Sequence, residues 1–156
     1  MTQKIWSVMM SAAIAPLIGM TPQCVAGTHT ITVAQEARQT LKDVEGSAAK
    51  TADEAFQLET FSKTLRGDAN IVPLNTLRAN VNTMGQEIAT LEARRETLEP
   101  WEQAAIDKVL PLLKDAAANT ERAILFFNDN PGLTWSPEYS DHMAKVNSDT
   151  AQIVKT

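Results

Sequence analysis

Two imidazoles, His29 and His142, are the side chains best suited to proton transfer near neutral pH, and their surroundings limit what they can do. His29 sits in the polar run Thr28-His29-Thr30, and His142 directly follows Asp141. Successive helix residues point in different directions, so Asp141 beside His142 makes no catalytic dyad by adjacency. A zinc centre draws on several His, Cys or carboxylate ligands at short spacings, such as His-Glu-x-x-His or paired cysteines. Neither pattern occurs, and the chain's one cysteine, Cys24, stands alone.

Covalent haem needs Cys-x-x-Cys-His, which is absent. Noncovalent haem would draw on sulfur from Met84 or Met143 and nitrogen from His142, with Phe127 or Trp135 against the ring. Met84 falls on a regular apolar seam, where methionine is an ordinary flexible filler, and no cofactor is expected. A di-iron site would need Glu-x-x-His pairs on facing helices. There are none, so Glu54, Glu59, Glu87, Glu92 and Glu121 are assigned to solvated faces. The run Asn128-Asp129-Asn130-Pro131-Gly132 lacks the spacing and closing glutamate of a calcium loop. Gly-x-Ser-x-Gly, Gly-x-Gly-x-x-Gly and the phosphate loop ending Gly-Lys are all missing. No metal site and no catalytic residue is assigned, and the expectation is a protein that is not an enzyme.

What remains is the stretch FFNDNPGLTWSPEYS, Phe126 to Ser140. Asn128 through Gly132 stop a helix, and Ser136 followed by Pro137 and Glu138 opens another. Leu133 and Trp135 fall in the loop between, where they can cover the core end beside Phe126 and Phe127. With Tyr139, these four residues make a candidate contact or ligand patch.

The elements that would hold this patch are helical. From Val33 to Arg66, positions Ala37, Leu41, Val44, Ala48, Thr51, Ala55, Leu58, Ser62 and Leu65 recur at alternating spacings of about four and three, one stripe of a helix. Gly46 is its weak point, since glycine costs about 1 kcal/mol relative to alanine inside a helix. Arg66-Gly67-Asp68 belongs to a turn, with Gly67 closing one helix, Asn70 capping the next and Pro73 tolerated in its first turn. The second run, Leu74 to Leu98, carries the seam Leu74, Leu77, Val81, Met84, Ile88, Leu91, Arg95 and Leu98. Arg95 interrupts it, and its methylenes can lie along the core while the guanidinium stays in water.

Pro100 opens a third helix, with Glu99 and Glu102 at its positive end. Its apolar face is broad, from Trp101 through Ala117 to Phe127, and Pro111 should bend it. The fourth helix keeps Tyr139, Met143, Val146, Thr150 and Ile153 on one stripe. Four seams and short turns predict an all-α fold, an antiparallel up-and-down four-helix bundle with a long first helix and a proline-bent third. The first helix is long relative to the fourth, which points to a protruding hairpin or a partly exposed seam.

Residues 1–26 carry an early Lys4, an apolar run from Ile5 to Met20 and no acidic residue, the pattern of a cleaved signal peptide. Cleavage after Ala26 places small side chains, Cys24 and Ala26, where the cut requires them. Pro16, Gly19, Pro22 and Gln23 break the run before it reaches the ~20 residues of a spanning helix. Thr21, Pro22 and Gln23 also fit a lipoprotein signal at Cys24 poorly. The mature unit is then residues 27–156, a single helical-bundle domain with no stable transmembrane segment.

Removing the leader takes one lysine and moves the net charge from -5 to -6. Such an acidic chain without a basic face is a poor ligand for nucleic acid, whose phosphates need clustered Lys and Arg. It is equally ill suited to anionic lipid surfaces. The expected function is a non-enzymatic exported helical interaction or adaptor protein of the cell envelope, periplasmic or secreted, with a protein partner or a second copy of itself. The alternative is a binding protein for a small apolar ligand at Phe126, Phe127, Leu133, Trp135 and Tyr139.

Overall fold

The structure, a computed structural model, describes residues 26–61 and 71–156, with side chains from 34 and from 72 onward in the two stretches. Residues 1–25 of the leader, the His29 side chain, the inward positions Ser62 and Leu65 and the turn around Gly67 and Asn70 lie outside the described residues. Four helices account for most of the rest: α1 (Ala26–Phe61), α2 (Ile71–Glu92), α3 (Pro100–Asp129) and α4 (Pro137–Ile153), with a 3-10 turn at Arg95–Thr97. The protein is an all-α four-helix bundle.

Helix α1 begins at Ala26, ahead of the Val33 where apolar periodicity starts. Once a helix is nucleated, each further residue adds one hydrogen bond for one residue fixed, so backbone helix can outrun its seam. The helix runs unbroken across Gly46.

Helix α2 ends at Glu92, a correction to the seam drawn through Arg95 to Leu98. The cause lies downstream. Pro100 disfavours helical backbone at Glu99, which sits at φ -69 and ψ 153, and Leu98 is extended as well. The chain therefore tightens into the 3-10 turn, and Leu98 still reaches the core. Arg95 leaves the seam for the surface, where it bonds Glu92 at 3.0 Å and Asp107 at 2.7 Å.

Helix α3 opens with a reciprocal cap. The Glu99 carboxylate accepts from the backbone of Glu102, while Glu102 Oε2 accepts from the Glu99 N–H at 2.8 Å, with Pro100 at the helix start. Pro111 lies inside α3 on its exposed side. Trp101 and Ala117, placed on the apolar face by their spacing, are exposed, so that face is narrower than the pattern suggested. Helix α4 is capped by Ser136, whose hydroxyl accepts from Tyr139 N at 3.3 Å.

The helices form a ring: α1 and α3 each touch both α2 and α4. Across α1 and α2, Arg94 reaches Glu36 and Asn80 reaches Glu54; across α3 and α4, Asn119 meets His142 and Phe126 meets Tyr139. In both pairs low numbers on one helix meet high numbers on the other.

The interior divides in two. One cluster gathers Ala37, Val44, Ala48, Val81, Met84, Ile88, Leu91, Leu98, Ile106, Val109, Leu113 and Ile153. The other gathers Ala55, Leu58, Leu74, Leu77, Ala123, Phe127, Tyr139, Met143 and Val146. Between them on α1, α3 and α4 lie the buried polar residues Thr51, Asn119, Thr120 and Thr150. Each threonine hydroxyl donates to a carbonyl one turn back in its own helix, to Ser47, Ala116 and Val146 respectively, so none is left unpaired.

Candidate functional site

Because α1 and α3 sit diagonally across the ring, α2 and α4 separate them on either side. Helix α4 ends at Ile153, while α3 continues back to Pro100 and α1 back to Ala26. Past Ile153 the fourth position of the bundle is a groove of about 720 Å³. Its apolar lining is Leu41 and Val44 from α1, Trp101, Ala105 and Val109 from α3, and Ile153 and Val154 at the end of α4. Four cations border it, Arg38, Lys42, Lys108 and Lys155, against the single acid Glu45.

One side chain in this groove is held from several directions. The Trp101 indole N–H donates to Glu99 Oε2 at 2.8 Å, and the Arg38 guanidinium lies 5.6 Å from the ring centroid. Arg38 in turn bonds Glu99 at 3.2 Å and faces Glu102 Oε1 at 3.8 Å. Trp101 is thus an anchored aromatic surface, 48% exposed at the mouth of the groove. Glu102 is fully buried and its Oε1 accepts no hydrogen bond, so Arg38 is the charge that faces it.

The aromatic stretch expected as a patch is divided by the fold. Phe127 and Tyr139 are interior, and Phe126 is half-buried with its ring 6.5 Å from that of Tyr139. Leu133 and Trp135 are 42% and 57% exposed. The turn satisfies itself: Asn130 closes on the Phe126 carbonyl, Leu133 N–H donates to Asn130, Ser136 N–H donates to Leu133, and the Trp135 indole N–H donates to Gly132. None of the five lines the groove or the two smaller cavities beside Arg78 and beside Ala49. The Tyr139 hydroxyl is buried without a hydrogen-bond partner, and burial pushes its pKa well up.

The remaining titratable groups are scattered. His142 Nδ1 lies 3.3 Å from Asn119 Oδ1; burial, then Lys145 and Arg122, push the imidazole pKa down. Glu87 is less solvated than its helix face suggested: one oxygen is buried without a partner, and burial, then Asp43, raise its pKa. Hydrogen bonding from Arg95 holds Asp107 below the usual carboxylate range. Among the described residues no group of three or more His, Cys, Asp or Glu is placed to hold a metal ion, and no helix is long and apolar enough to cross a membrane.

The groove residues were visible in the sequence only indirectly. The length mismatch between first and fourth helices pointed to a protruding hairpin or a partly exposed seam; among the described side chains Leu41 is the one α1 seam position that is not buried. The chain matches no protein-family model, no curated protein and no solved structure.

Proposed function

We propose that the chain is a non-enzymatic exported helical interaction or adaptor protein of the cell envelope, and that a protein partner docks in the groove beyond α4. The observation that carries this reading is the groove past Ile153, whose uncovered apolar floor is half-buried Leu41 and Ala105 with exposed Val154, flanked by the anchored Trp101. Leaving apolar surface in water costs roughly 25 cal/mol per Å², so covering that floor favours association. Interface energy concentrates in rigid aromatic anchors of the Trp101 kind. The export component rests on the leader-like composition of residues 1–26.

The test is site-specific photocrosslinking in the native host, with the reactive side chain at position 101 and, as control, at 135. A discrete adduct with one envelope protein, or with a second copy, is expected from 101 and not from 135. The adduct should disappear when Leu41→Asp is added. No adduct from 101 in cells that fold and export the chain would overturn the docking reading. An unprocessed chain confined to the cytoplasm would overturn the export component.

A further inference from the structure

We propose that the groove receives an acidic amphipathic helix of a partner protein, about three turns long, lying between α1 and α3 past Ile153. The inference rests on the interaction reading above and names the chemistry of its partner.

Shape is the first argument. The slot is bounded by two long helices and lies in line with a third, Val109 of α3 standing beside Ile153 where α4 stops. From Val109 back to Pro100, α3 offers roughly 13 Å of flank at ~1.5 Å per residue, between two and three turns. A helix with apolar residues at i, i+3 or i+4, and i+7 would set them on Leu41, Trp101, Ala105 and Val154, apolar side chains of the groove that are not buried.

Charge is the second argument. The chain is acidic overall, net -5, yet the side chains lining the groove include four cations, Arg38, Lys42, Lys108 and Lys155, and one acid, Glu45, with Glu99 beside them on Arg38 and Trp101. Arg38 is already committed to Glu99 and Glu102. Lys42, Lys108 and Lys155 make no ion pair among the described residues. Exposed charges of this kind add little affinity each, but they select the sign of the partner and speed its approach.

The experiment titrates the purified chain with two synthetic helical peptides that share one apolar stripe, one with glutamates on its flanks and one with lysines there, read by fluorescence anisotropy. Parallel arms use a long-chain fatty acid and light scattering of the chain alone. The acidic peptide is expected to bind about tenfold more tightly than the basic one at low salt, and high salt should shrink that ratio. Lys108→Glu with Lys155→Glu should reverse the preference while leaving the melting temperature unchanged. Equal binding of both peptides overturns the acidic partner but leaves helix docking in the groove standing. Saturable binding of the fatty acid, or dimerisation lost in Leu41→Asp, with neither peptide bound, overturns the partner helix while the groove remains a binding surface. No binding in any arm overturns the partner helix, and the photocrosslinking result at position 101 then decides separately whether the interaction reading falls with it.

Discussion

At the end of the bundle around the 130–136 turn, Leu58, Leu74, Leu77, Phe127 and Tyr139 close the interior and the loop satisfies its own hydrogen bonds. At the opposite end α3 and α1 run on past Ile153, and the fourth position is a groove bordered by cations. The first end holds the chain's most conspicuous residues, and it is the finished one. The second is made from ordinary bundle residues plus one anchored tryptophan, and it is the incomplete one. A cluster of aromatics beside Pro and Gly says where a helix pair is fastened; a mismatch of helix lengths says where surface is left over.

The sharpest way to break this contrast is to damage each end separately. Ile88→Ala removes a fully buried side chain from the groove-end cluster, and Leu77→Ala does the same at the aromatic end. Each should cost about 2–5 kcal/mol in denaturant unfolding. If the clusters are one cooperative unit, either variant shifts a single transition and both probes, Trp101 and Trp135 fluorescence, move together. Separate transitions at the two tryptophans would make the ends independent folding units.

Tyr139→Phe should act in the other direction. The hydroxyl is buried without a partner, so removing it should stabilise the chain by about 1–2 kcal/mol, seen as a higher urea midpoint with unchanged slope. A loss of stability would mean that the hydroxyl has a partner, and that the aromatic end is less closed than its packing indicates.

Smaller again is the effect of joining the clusters. Thr51→Val, Thr120→Val and Thr150→Val replace hydroxyls that bond only within their own helices, so each should change stability by no more than about 1 kcal/mol. A cost well beyond that would assign the buried threonines a role in holding register between the ends.

The smallest expected effect is pH dependence at His142. Its folded pKa lies below the ordinary value of 6.5, through burial first and then Lys145 and Arg122, with Glu138 and Asp141 opposing. The folded chain therefore prefers neutral imidazole. The stability this provides is complete above the ordinary value and is lost as the pH falls from there through the lowered folded value. Asp149 and Glu87, both raised first by burial, act in the opposite sense, because their protonation relieves a cost. Comparing the parent with His142→Gln at each pH isolates the imidazole: the variant should lose less melting temperature between about pH 7.5 and about pH 5. Parallel curves would remove His142 as a source of pH sensitivity.

Much of the fold was legible because burial leaves a periodic trace. Every assigned seam position of α4 is buried, as are those of α2 from Leu74 to Leu91 and those of α1 within the described side chains except half-buried Leu41. The misreadings have separate causes. Leu98 is buried, yet Arg95 is not on its stripe, because Pro100 imposes extended backbone two residues earlier than the periodicity could register. Trp101 fits the α3 pattern and is exposed, because no α4 residue lies opposite to cover it. Glu102 was read as a charge favouring a helix start, and it does cap that start; its complete burial beneath Arg38 depends on α1 passing over it.

The candidate patch was divided by tertiary packing. Spacing along one chain places Phe126, Phe127, Leu133, Trp135 and Tyr139 close in sequence, but which of them face inward depends on the other helices. Phe127 and Tyr139 meet Ala55, Leu58 and Leu74 from elsewhere in the chain, whereas Leu133 and Trp135 ride on a loop and are exposed.

Taken alone, the order of residues determined that this chain makes helices, where the third and fourth start and stop, and which stripe of each turns inward, since propensity, capping and periodicity act over a few neighbouring positions. Only the tertiary structure decided where the stripes run out of partners. That depends on how far each helix extends beside its neighbours, a relation between residues as distant as Leu41, Trp101 and Val154 that no local pattern records.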